Sequence, residues 1–145
     1  MDRVSAALAA FQSGFHCTQA VFSAFCEDLG LERATATRLA ECFGGTVCNA
    51  GMPCGALLGA YLAIGLYAGR SEPGDLSAKF RTEALRARLA EGFTARFGAA
   101  DCRTLLGCDI TEKEGLEAAY TAGAMARCAD FVAYAAELTD KLLRE

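Results

Sequence analysis

Eight cysteines and a single histidine are the residues of this 145-residue sequence best suited to chemistry. A thiolate is a nucleophile, a metal ligand and half of a disulfide, and the deprotonated form does all three jobs. No two cysteines stand as C-x-x-C, so neither a thioredoxin-like motif nor a zinc ribbon is encoded locally. No C-x-x-C-H is present for covalent haem. Cys42, Cys48 and Cys54 follow one another with five residues between, as do Cys102 and Cys108, an interval that suits a loop and matches no common cluster motif. Any site built from these thiols must therefore be assembled from elements far apart in the chain.

Cys54 has the most favourable local surroundings. Pro53 suits the first position of a helix, Gly55 leaves the backbone uncovered, and the free N–H groups of a first helical turn stabilise an anion. Cys54 is accordingly expected to be the most acidic and reactive thiol. Burial beside Leu57 and Leu58 opposes this, and plain packing as a small hydrophobe is the alternative. Cys17, Cys102 and Cys128 also fall beside predicted helix starts, so the four thiols share one stabilising device. Together they could cycle between dithiol and disulfide, or hold an iron–sulfur cluster or another thiolate-bound metal, with Cys48 as a further ligand. Gly55 and Gly59 are the positions expected to admit a bound cofactor. Cys26 is half a turn out of phase with Cys17 and reads as core. His16 adjoins Cys17 and could tune it, although neighbours in sequence commonly point apart. Arg103 and Arg127 adjoin Cys102 and Cys128, where solvation competes with lowering the thiol pKa.

Helices must position these groups. The stretch from Cys42 to Gly69 contains no Asp, Glu, Lys, Arg or His. Its first part, from Gly44-Gly45 to Gly51-Met52-Pro53, is dense in turn formers and reads as a loop. Cys54 to Gly69, with glycines at 55, 59, 65 and 69, reads as a helix packed closely on several sides and is expected at the buried centre. Before it, apolar spacing predicts helices over residues 2–12, from Cys17 to Leu29, and from Thr35 to Cys42. After Ser71-Glu72-Pro73-Gly74, Asp75 or Ser77 caps a helix reaching Phe97-Gly98, and Asp101 caps a short one from Cys102 to Gly107. Thr111 and Glu114 form a capping-box pattern, and a long helical pattern runs from Arg127 to Leu143 after a break near Gly123. No segment alternates with period two. The expected fold is all-α, a single domain over residues 1–145 with about six helices around the glycine-rich one. Those glycines predict close helix contact, within the chain or across a homodimer.

The run Cys54-Gly55-Ala56-Leu57-Leu58-Gly59, preceded by Phe43-Gly44-Gly45, resembles the CGAxxG signature of the C_GCAxxG_C_C family of small bacterial and archaeal redox-active proteins. That family's other marks are an upstream cysteine in an NCAQA-like context and two single downstream cysteines. They correspond here to Cys17 in Phe15-His16-Cys17-Thr18-Gln19-Ala20-Val21, to Cys102 and to Cys128. The chain departs from the pattern at His16 and Thr18 and carries four additional cysteines. The resemblance implies a redox role for Cys17, Cys54, Cys102 and Cys128.

A hydrophobic fraction of 53% supports one substantial core, and a net charge of −4 with both signs scattered argues against nucleic acid and anionic membrane as partners. The uncharged segment after Pro53 is short for a membrane span, and the first residues do not read as a secretory leader, so a cytoplasmic protein is expected. In that compartment eight cysteines are better explained by redox or metal chemistry than by a disulfide framework. There is no GxGxxG, P-loop, GxSxG or paired-carboxylate signature. Three readings follow: a thiol-dependent oxidoreductase or electron-transfer protein with its own redox partner, a metal or iron–sulfur module without turnover, and a structural or interaction domain with packed cysteines.

Overall fold

Short-range capping decides where most helices begin. The computed structural model describes the backbone of residues 1–145 and every side chain except those of Thr46, Ala124 and Met125. Helix α1 (Arg3–Gln12) starts at Asp2, whose carboxylate accepts the Ser5 N–H at 2.7 Å. Helix α2 (Cys17–Ser23) is capped by His16 and is shorter than predicted, because the chain tightens into a 3-10 turn over Glu27–Leu29. Thr18 through Cys26 are all buried, so this segment is enclosed on every side. Helix α3 (Arg33–Ala40) gives way to a 3-10 turn at Glu41–Phe43, and the predicted loop holds one helical turn, α4 (Thr46–Asn49).

Helix α5 (Gly55–Ala68) follows. Pro53 does not open it, contrary to expectation: Cys54 is the capping residue, and Pro53 pairs with Asp101 in an isolated bridge. Helix α6 (Leu76–Phe97) begins at Asp75 and stops at Gly98, whose φ of 83° suits glycine. Asp101 accepts the Thr104 N–H at 2.9 Å and starts α7 (Cys102–Leu106). The predicted capping box at Thr111 does not form; Thr111 turns back to Asp109, and α8 (Lys113–Thr121) starts after Glu112. After Gly123 a 3-10 turn over Ala124–Arg127 leads into α9 (Cys128–Arg144).

The fold is all-helical, with more and shorter helices than the sequence pattern suggested. Helix α5 packs on α2, α6 and α9, while α1 lies against α2 and α9. Glycine explains the closeness of α2 and α5: a Cβ on Gly55 would lie 2.9 Å from Thr18 Oγ1, and one on Gly59 would lie 2.6 Å from the Thr18 carbonyl oxygen. These two glycines are thus accounted for within one chain. Helix α5 surfaces at Gly65–Tyr67, so the helix buried all round is α2. An aromatic group of Phe93, Phe97, Phe131 and Tyr134 joins α6 to α9, with the rings of Phe97 and Phe131 edge-on at 4.9 Å. Among the described residues, no helix is long and apolar enough to cross a membrane.

Candidate thiol site

Four cysteines stand at helix starts: Cys17 opens α2, Cys102 opens α7, Cys128 opens α9, and Cys54 caps α5. Tertiary packing turns these ends toward one another. The Pro53–Asp101 bridge and a 2.7 Å bond from the Cys54 N–H to the Ala100 carbonyl tie the start of α5 to that of α7. The packing of α2 and α5 on α9 brings in Cys17 and Cys128. The result is a cavity of about 470 Å³ lined by Cys17, Cys48, Cys54, Cys102 and Cys128. Cys26 lies in the core, its thiol donating to the Ser23 carbonyl at 3.4 Å, and Cys42 is exposed. Cys108 is half-buried and does not line the cavity.

Cys17 and Cys128 line the same cavity at the starts of α2 and α9, and each shifts the ionisation of the other. The negative charge belongs on Cys128. Its sulfur sits at the start of a 17-residue helix beside Arg127, whereas Cys17 opens a helix of seven residues and faces Cys54 and Cys102. The neighbouring Cys17 thiol holds the Cys128 thiol below its usual range, helped by the Arg127 charge and opposed by burial. Cys128, with burial, pushes Cys17 well up.

Cys54 behaves differently from the sequence expectation. The backbone N–H groups of Ala56 and Leu57 favour an anion at its sulfur, but burial outweighs them and pushes the thiol up to about 12. The residue is only 3% exposed, so an anion there would lose its water and gain two N–H groups in exchange. Burial likewise lifts Cys48 to about 11 and raises Cys102.

The family model described as "Putative redox-active protein (C_GCAxxG_C_C)" matches residues 15–142. This chain belongs to the C_GCAxxG_C_C family. No curated protein and no solved structure matches it. In this family member the cysteines at the motif positions, Cys17, Cys54, Cys102 and Cys128, are four of the five that share the cavity.

The residues around the C_GCAxxG_C_C thiols have assigned work of their own. His16 is held as a helix cap: its Nδ1 accepts the Gln19 N–H at 3.4 Å and its Nε2 donates to the Glu41 carbonyl at 2.9 Å. With both ring nitrogens engaged, His16 is not placed to take a proton from Cys17. Arg103 pairs with Asp109 at 3.3 Å rather than with Cys102. Arg127 donates to the Leu106 carbonyl at 2.6 Å and acts on Cys128 by charge. Gly55 lines the cavity, whereas Gly59 lies at the α2–α5 contact away from it.

Asn49 was not singled out from the sequence. It is fully buried, its Oδ1 accepts the Ile110 N–H at 2.9 Å, and its Nδ2 donates to the Cys108 carbonyl at 3.1 Å and the Cys102 sulfur at 3.6 Å. The amide thus fixes the segment on both sides of Cys108 and favours a negative Cys102 sulfur. Its only sequence signal is a polar residue between Cys48 and Cys54 in an otherwise apolar stretch.

The chemistry of the donor set suits a soft metal, but its arrangement does not. Among the described residues, no three Cys, His, Asp or Glu side chains are grouped so as to hold one metal ion.

Proposed function

We propose that this chain is a thiol redox protein whose working pair is Cys17 and Cys128, exchanging two electrons between dithiol and disulfide. The observation that carries the reading is that both sulfurs line one cavity at the starts of two helices, with Cys128 the more acidic of the two. In the oxidising half-reaction the Cys128 thiolate and the Cys17 thiol lose two electrons and one proton, and an S–S bond forms between them. An acidic, nucleophilic sulfur beside a second thiol that resolves it is the usual requirement of such chemistry. Cys54 and Cys102 complete the cavity and shape the surroundings of the pair.

The family description supports a general redox role. Thiol exchange is preferred to a metal module because no three-ligand set is formed among the described residues. A reducing, cytoplasmic setting, where thiols persist, is part of this reading. The chain works in this reading as a single cysteine-rich domain with the glycine-rich α5 as a packing partner of α2. Oxidation of the reduced protein with diamide, followed by peptide mapping, tests it. A Cys17–Cys128 disulfide formed by one equivalent of oxidant is expected. A disulfide between other residues, or anaerobically purified protein with stoichiometric iron and sulfide, would replace this reading.

A further inference from the structure

Apart from the thiols and His16, whose ring nitrogens are engaged as a helix cap, the cavity is mostly apolar. Its walls include Phe11, Phe15, Leu106, Ile110, Tyr120 and Phe131, and none of the described residues lining it is Lys, Arg, Asp or Glu. A peptide disulfide or a nucleotide would leave its charges unpaired there, at a cost of several kcal/mol. Cys128 and Cys54 are 5% and 3% exposed, so a disulfide on the surface of a folded protein cannot reach them without rearrangement. A small molecule can. The volume of about 470 Å³ lies within the usual range for a ligand pocket. Of the lining aromatics, Phe15 and Tyr120 are 36% and 65% exposed and mark the entrance, with Phe11 and Phe131 deeper. Four aromatic rings around an uncharged space favour a flat, aromatic guest.

We propose that the small-molecule partner of the Cys17–Cys128 pair is an uncharged aromatic quinone, bound in this cavity and reduced to the hydroquinone. The proposal rests on the thiol-exchange reading above and adds the substrate class. The Cys128 thiolate adds to a ring carbon, forming a C–S bond, and the carbonyl oxygen that becomes negative takes the Cys17 proton. The Cys17 thiolate then attacks the Cys128 sulfur. The S–S bond forms, the C–S bond breaks, and its electron pair passes into the ring to the second carbonyl oxygen, which is protonated by water. Two electrons leave the sulfurs, and the quinone gains two electrons and two protons.

The test mixes fully reduced protein anaerobically with dimethylnaphthoquinone, whose substituted ring resists permanent arylation, and with its sulfonated analogue. Hydroquinone formation is followed by absorbance, and each rate is divided by that of free dithiothreitol with the same quinone. The normalised rate should saturate with the uncharged quinone and exceed that of the sulfonated one by at least about tenfold, the lower bound for excluding one unpaired charge from an apolar site. Tyr120→Ala should raise the concentration at half-saturation about fivefold, by loss of one aromatic contact. If diamide forms the Cys17–Cys128 disulfide but the quinone reacts no faster than with dithiothreitol, or the two quinones react alike, the substrate class is wrong and the thiol reading survives. Preferential turnover of an alkyl hydroperoxide would also overturn it. If diamide forms no such disulfide, the thiol reading itself fails.

Discussion

Cys17 at the start of α2 and Cys128 at the start of α9 line one cavity, although the two residues stand near opposite ends of the chain. Their nearness makes one thiol more acidic at the expense of the other, so the reactivity of the pair is a property of both. Alkylation of the reduced protein at pH 7 with peptide mapping should label Cys128 ahead of Cys54 and Cys26. Replacing Cys17 by Ala removes the neighbouring thiol and should slow labelling of Cys128 about fivefold, for a loss of roughly 1 kcal/mol of anion stabilisation. Unchanged labelling of Cys128 would mean that α9 and Arg127 alone set its acidity.

The thiols also give the fold an alkaline limit. Cys48 and Cys54 are raised to about 11 and about 12, and the Cys17, Cys26 and Cys102 thiols are raised as well. A raised folded-state pKa contributes stability that is whole below the unfolded thiol value and is lost as pH climbs toward the folded value. Cys128 has the opposite sign, since its lowered pKa contributes stability above the unfolded value and loses it as pH falls. The raised thiols outnumber it. The unfolding free energy of the reduced protein, from urea titrations, should therefore fall between pH 9 and pH 11, by up to about 1 kcal/mol per pH unit for each fully buried thiol. Cys54→Ala should flatten that slope. A flat profile in the parent protein would show that these thiols ionise alike in both states.

Two glycines of α5 should respond in opposite directions. A methyl group at Gly59 meets the Thr18 carbonyl at 2.6 Å and Val21 Cβ at 2.9 Å, so Gly59→Ala must push α2 from α5 and should cost about 2–3 kcal/mol. Nothing lies within 4 Å of a Cβ on Gly65. Gly65→Ala should gain about 0.5–1 kcal/mol from helix propensity. Thermal unfolding of the two variants measures both.

Asn49→Ala leaves the Ile110 N–H and the Cys108 carbonyl without their side-chain partner. The expected loss is about 2–3 kcal/mol of stability, for unsatisfied buried groups and the cavity left behind. Cys102 should at the same time become easier to alkylate in the native protein, as its segment loosens. Lost stability without greater access to Cys102 would limit Asn49 to a packing role.

The placement of Cys17, Cys54, Cys102 and Cys128 at helix starts was legible in the sequence, and so were the caps at Asp75 and Asp101 and the absence of any strand pattern. Each depends on residues within one or two turns, where a carboxylate either finds a backbone N–H or does not. The same local reasoning failed at Thr111, whose preceding Asp109 offered a competing partner, and at Pro53, which the bridge to Asp101 drew out of the helix. What the packing alone decided is which sulfurs meet and which of them carries charge. The neighbours of Cys54 in sequence supply the N–H groups that favour an anion, but the depth of its burial is set by α2, α7 and α9, and desolvation there outweighs them. Cys128 gains its acidity from a thiol at the far end of the chain, and Asn49 gains its role from a segment that only the fold brings near. Charge stability depends on everything around the charge, whereas a helix end depends on little beyond its own turn.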